Sequence, residues 1–193
     1  MKHIDFISEN LVIPVAIGLF LLIISSFLIE SYIDDNNSKE DIDFLFEQAS
    51  NYHNHSQFEE AISEYKKISH LSHNKFHSEY AKSQSDLGVS YYELSKIQDE
   101  ELNLNLAISS YQKALDIYTA ETDSYEYAHT QHRLGNAFLS LSYIRGQESN
   151  VNLAISSYQK ALDIYTVETY PFEYARTQNS LGSAYLALSD VRS

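Results

Sequence analysis

Histidine is the residue type best placed to do chemistry in this chain. His53 and His55 stand two apart, and His70, His73 and His77 follow at three- and four-residue steps. On a helix the last three would share a face, as a metal site requires. They fall instead between two apolar-periodic segments, near turns where polar side chains meet water, so no metal site and no cofactor is expected. The chain has no Cys, which removes thiolate ligands, Cys nucleophiles and disulfides. It also lacks G-x-S-x-G, a Gly-rich phosphate loop and H-E-x-x-H. Ser and Asp are plentiful but have no positioned base beside them, and no enzyme is expected. Acidic residues outnumber basic ones 27 to 13, for a formal net charge of −14. Phosphate neutralisation needs a Lys/Arg surface, so general nucleic-acid binding is not expected.

The elements that carry these residues are helical by composition. Of 193 residues 44% are hydrophobic, with five Gly and two Pro, which suits a helical, core-forming chain. Leu11–Ile29 (LVIPVAIGLFLLIISSFLI) is an uncharged run of 19 residues that would span roughly 28 Å as a helix, close to the hydrocarbon thickness. It exceeds the ~7–15 apolar residues of a signal peptide and no A-x-A-like site follows it, so a single-pass transmembrane anchor is expected. Lys2 and the α-amine before the span, against Lys39 after it, lean toward a main domain on the non-cytoplasmic side. The expected organisation is a tail at 1–10, the span at 11–29, an acidic linker at 30–40 and a helical domain at 41–193.

That domain repeats itself. NLAISSYQKALDIYT at Asn105–Thr119 returns unchanged at Asn152–Thr166, a step of 47 residues. YAHTQHRLGNAF at Tyr127–Phe138 returns as YARTQNSLGSAY at Tyr174–Tyr185 and is preceded by YAKSQSDLGVSY at Tyr80–Tyr91. FEEAISEYKKIS from Phe58 is a diverged copy of the first block. Each block has apolar residues at three- and four-residue steps, so the unit is a pair of amphipathic helices: A, with the Leu-Gly block, and B, with the Ala-aromatic-Ala block. One such hairpin cannot bury its apolar face alone; stacked hairpins can.

These residues resemble the tetratricopeptide repeat (TPR) family. The matching positions are Leu87, Gly88, Tyr91, Ala107, Tyr111 and Ala114 in one unit, and Leu134, Gly135, Phe138, Ala154, Tyr158 and Ala161 in the next. A first unit offers Leu45, Ala49, Tyr52, Ala61 and Tyr65, and a terminal helix A offers Leu181, Gly182 and Tyr185. The resemblance implies an all-α, right-handed helical solenoid of three hairpins, about 41–76, 79–121 and 126–168, closed by a helix at 173–192. The repeat exceeds the usual length of about 34 residues. If both helices of each pair lengthen together, by about one turn, they run to roughly 18–21 residues. Gln84, Gln131 and Gln178 stand at the family's tryptophan position. The last helix keeps the full apolar stripe, so either its polar residues Gln178, Asn179, Ser180, Ser183 and Ser189 suffice as an outer face, or this end is sticky.

In TPR solenoids helix A lines a concave groove. Carried over, the resemblance implies a groove stripe of Lys82, Ser85, Val89, His129, His132, Arg133, Asn136, Arg176, Asn179 and Ser183. Among carboxylates only Asp86 is expected near it. The expected function is a membrane-anchored scaffold for protein–protein interaction, in which Arg133 and Arg176 hold an acidic segment or terminal carboxylate of a partner. The alternative is a structural module that forms homo-oligomers through its open end. Most tyrosines recur at repeat positions and are packing residues, whereas Tyr92 and Tyr143 do not recur and could add contacts.

Overall fold

The structure, a computed structural model, describes residues 39–145 and 147–192. The chain divides into two compact units, 1–43 and 44–193. The expected anchor Leu11–Ile29 lies outside the described residues, and no helix among those described is long and apolar enough to cross a membrane.

Seven helices and no strand occur among the described residues: α1 (39–54), α2 (Phe58–Ser72), α3 (His77–Ser95), α4 (Glu100–Leu115), α5 (Ser124–Arg145), α6 (Glu148–Leu162) and α7 (Pro171–Arg192). From α2 onward each helix packs on its sequence neighbours, and α3 also meets α5 as α5 meets α7. The buried stripe of α4, Leu104, Ala107, Ile108, Tyr111 and Ala114, recurs in α6 as Val151, Ala154, Ile155, Tyr158 and Ala161. Acidic first turns (Glu100, Glu101; Glu148) and basic last turns (Lys113; Lys160) complement both helix dipoles.

The A/B crossings depend on glycine. A Cβ at Gly88 would sit 2.5 Å from Tyr111 Cε1, and one at Gly135 would sit 2.6 Å from Tyr158 Cε1. Each glycine thus admits a fully buried tyrosine ring to the surface of the facing helix. Ala49, Ala61, Tyr65, Leu87, Tyr91, Ala107, Ala114, Leu134, Phe138, Ala154, Ala161 and Leu181 are buried as well. Tyr52 is half-buried. Gly182 and Tyr185, read as packing residues, are exposed: among the described residues α7 packs on α6 and α5 alone.

Helix lengths depart from the expected pairwise lengthening. The A helices α3, α5 and α7 have 19, 22 and 22 residues, but α2, α4 and α6 have only 15, 16 and 15. The additional residues lie in the connections 116–123 and 163–170. There the backbone leaves the helix so that Tyr118 fills the space beside Ala81 and Ala114, and Tyr165 the space beside Ala128 and Ala161. A threonine turn locks each connection: Thr122 N–H donates to Thr119 Oγ1 and Thr169 N–H to Thr166 Oγ1, both at 3.2 Å. A buried aromatic and a side-chain-bonded turn replace the additional helical turn.

Polar contacts tie successive units together. Ser85 Oγ lies 3.3 Å from Thr130 Oγ1, and at the next step His132 Nδ1 lies 2.9 Å from Thr177 Oγ1. On the rim Arg145 pairs with Glu101, and Arg192 pairs with Glu148. Both pairs are exposed, so solvent screening leaves them little weight in stability.

Candidate functional site

Helices α3, α5 and α7 set equivalent positions side by side: Lys82, His129 and Arg176 in one row, Ser85, His132 and Asn179 in the next. Between them lies a recess of about 200 Å³. Val89, Tyr92 and Glu93 of α3 form one wall, Tyr111 of α4 the floor, His129, His132, Arg133 and Asn136 of α5 the centre, and Arg176 of α7 the far side. Six of the ten expected groove residues therefore meet in one place. Lys82 and Ser85 line a wider neighbouring recess of about 540 Å³, which shares His129 and Arg133 with the first. Asn179 and Ser183 line neither and stand exposed on α7.

Several of these side chains are already engaged. Arg133 Nη1 donates to Ser85 Oγ at 3.2 Å, which aims the guanidinium across the α3/α5 seam. Asn136 Oδ1 accepts the Tyr158 hydroxyl at 2.8 Å, so its carbonyl oxygen is committed to the core. Lys82 bonds Asp86 at 3.4 Å and sits 3.7 Å from the centre of the Phe46 ring, a cation–π contact that holds it back from the narrow recess. Arg176 is exposed, near the Phe172 ring.

The charge pattern differs from the expected carboxylate-poor stripe. Glu93 stands in the narrow recess, where Lys96 pairs with it at 2.7 Å. Asp86, Asp123 and Glu126 line the wide one, two of them supplied by the α4–α5 connection and the first turn of α5. The narrow recess, with Arg133 and Arg176 against one carboxylate, is thus the more cationic of the two, while Lys82 and Arg133 meet three carboxylates in the wide one. Residue periodicity along helix A could not reveal the contributions of a connection; the repeated Tyr-Thr-x-x-Thr at 118–122 and 165–169 was the available signal.

The two imidazoles report this field. Burial, followed by the guanidinium charges of Arg133 and Arg176, lowers the His129 pKa from 6.5 to about 3. Burial, followed by Arg176 and Arg133, lowers that of His132 to about 4. Both rings are neutral at pH 7 and present hydrogen-bonding nitrogens without charge. Because the unfolded chain binds these protons and the folded chain does not, stability rises with pH between about 4 and 6.5. For His132 the slope is expected to reach about 1.4 kcal/mol per pH unit within that window. Urea unfolding at several pH values checks this, and His132→Gln is expected to flatten the profile.

Ser85 Oγ meets Thr130 Oγ1 and the Arg133 guanidinium, neither of them a base, and the His132 imidazole is bonded to the Thr177 hydroxyl, which is fully buried. The histidines raised as metal ligands also disperse. His53 bonds Ser90 Oγ at 3.1 Å, His55 bonds its own helix at Asn51 O, and His73 stacks edge-on against Tyr80. Among the described residues no three His, Asp or Glu side chains are grouped to hold a metal ion. What the narrow recess offers is two guanidiniums, neutral imidazoles and an aromatic floor, a set suited to a carboxylate carried on a chain segment. No family model matches the chain, and no curated protein is significantly similar to it.

Proposed function

We propose that the chain is a TPR-like scaffold, a right-handed solenoid of helix hairpins that holds an acidic segment of a partner protein against α3, α5 and α7. The observation that carries this reading is the convergence of Arg133 and Arg176 on one recess in a protein of net charge −14. Their field helps to hold two histidines neutral, and an incoming carboxylate relieves the repulsion between the two guanidiniums. The 47-residue recurrence and the repeated Gly–Tyr crossings support the solenoid.

The full chain, titrated with a panel of fluorescent acidic peptides and their Asp→Asn, Glu→Gln counterparts, is expected to bind the acidic forms at least tenfold more tightly. The preference is expected to shrink as salt is raised, since screening acts within about 8–10 Å. Equal binding of both sets, or of neither, contradicts the reading.

The second part of the proposal is that Leu11–Ile29 anchors the scaffold in a membrane, so that tethering raises local concentration and modest affinity suffices. Intact protein is expected to stay with membranes through an alkaline wash. Its recovery in the wash supernatant would overturn the anchor and leave the recess untouched.

A further inference from the structure

The wide recess continues the narrow one along α5. Glu126, His129 and Arg133 stand at i, i+3 and i+7 on one helix face, so Glu126 and Arg133 are about 10 Å apart along the axis. His129 and Arg133 line both recesses, and Glu126 lines the wide one. A segment with its carboxylate between Arg133 and Arg176 that runs along α5 reaches the wide recess within about three residues, at about 3.3 Å per extended residue. There the charge reverses. Lys82 pairs with Asp86 at 3.4 Å, and the Thr122 hydroxyl donates to Asp123 at 2.7 Å. Among the described residues neither Asp123 nor Glu126 pairs with a Lys or Arg. The rings of Tyr118 and Tyr125 line the same space and offer apolar surface to an alkyl stem. Tyr125 is held by His129, Tyr165 and Tyr170, whose ring centres lie between 5.3 and 6.1 Å away. Repeat packing does not impose these carboxylates, since the counterparts of Asp86 and Asp123 one repeat later are Arg133 and Tyr170.

Resting on the acidic-segment reading above, we infer that the wide recess selects among acidic segments: Asp123 and Glu126 favour a Lys or Arg about three residues from the bound carboxylate and reject a second acid there. The ligand is a short segment of mixed charge rather than an acidic run. A Lys or Arg lays its stem along Tyr118 and Tyr125 and brings its charge to the two carboxylates. A Glu or Asp at the same place meets like charges that have no cation of their own, and that repulsion is what discriminates.

The test titrates the full chain with fluorescein-labelled peptides that differ only in Glu-x-x-Lys, Lys-x-x-Glu or Glu-x-x-Glu, where x is neutral; the two mixed orders cover both directions along α5. A counterpart of each with Gln for Glu reads the dependence on the acid. One mixed order is expected to bind at least tenfold more tightly than Glu-x-x-Glu. Asp123→Asn with Glu126→Gln is expected to remove that preference and to leave the dependence on Glu in place. The amides keep the shape of the α4–α5 connection, and helix content by circular dichroism verifies the fold. Binding of Glu-x-x-Glu as tight as that of both mixed peptides overturns the inference and leaves the acidic-segment reading intact. So does a preference that survives the double variant, which would assign it to the net charge of −14 as a whole. Loss of all dependence on Glu, or no binding by any peptide, overturns the acidic-segment reading and this inference with it.

Discussion

Gly135→Leu is expected to destabilise the helical region by about 1–3 kcal/mol, whereas Gly182→Leu is expected to stabilise it by about 0.5–1 kcal/mol. The two glycines are one repeat apart in the same Leu-Gly-x-Ala-aromatic frame, so local propensity alone demands the same sign. The difference lies in what faces them. The Tyr158 ring at Gly135 is fully buried, and its hydroxyl is fixed to Asn136, so neither end can retreat from a new side chain. Gly182 faces open space, and replacing it merely removes the entropic cost of glycine in a helix. Urea unfolding of the two variants beside wild type measures both signs. Losses of equal size at the two sites would refute the α5/α6 crossing described here.

Removing both guanidiniums, by Arg133→Ala with Arg176→Ala, is expected to weaken binding of an acidic peptide at least tenfold, with only a small change in thermal stability. Contacts between desolvated charged partners cost a few kcal/mol to remove, against less than 1 for exposed ones. Arg133, half-buried and bonded to Ser85, is the stronger of the two, and Arg176, exposed on α7, contributes mainly steering. The same double variant is expected to raise the pKa values of His129 and His132, because it removes the positive charges while leaving their burial in place. Unchanged peptide affinity would show that both cations are merely solvated.

The helical character and the pairing of segments were legible because burial recurs with the residues: the identical stretches at 105–119 and 152–166 bury the same positions. Helix lengths were not, because a period of 47 constrains only the sum of helices and connections. A Tyr-Thr-x-x-Thr turn and one more helical turn on each partner fill that length equally well; the burial of Tyr118 and Tyr165 decides for the turn. For the site, the helix stripe located His129, His132, Arg133 and Arg176 but missed Glu93, one turn beyond Val89, and the carboxylates of the α4–α5 connection. Asn179 and Ser183 follow the stripe in sequence yet stand exposed on α7, outside both recesses.

The measurement that bears most directly on the scaffold reading is a titration of the full chain with an acidic peptide, followed through the arginine Nε–H resonances in a nitrogen-15 NMR spectrum. The Arg133 and Arg176 resonances are expected to shift with a single saturation curve while those of Arg145 and Arg192, on the rim, stay in place. Uniform small shifts at all four arginines, or shifts at the rim pair alone, would contradict the proposal that the recess between α3, α5 and α7 is where the partner binds.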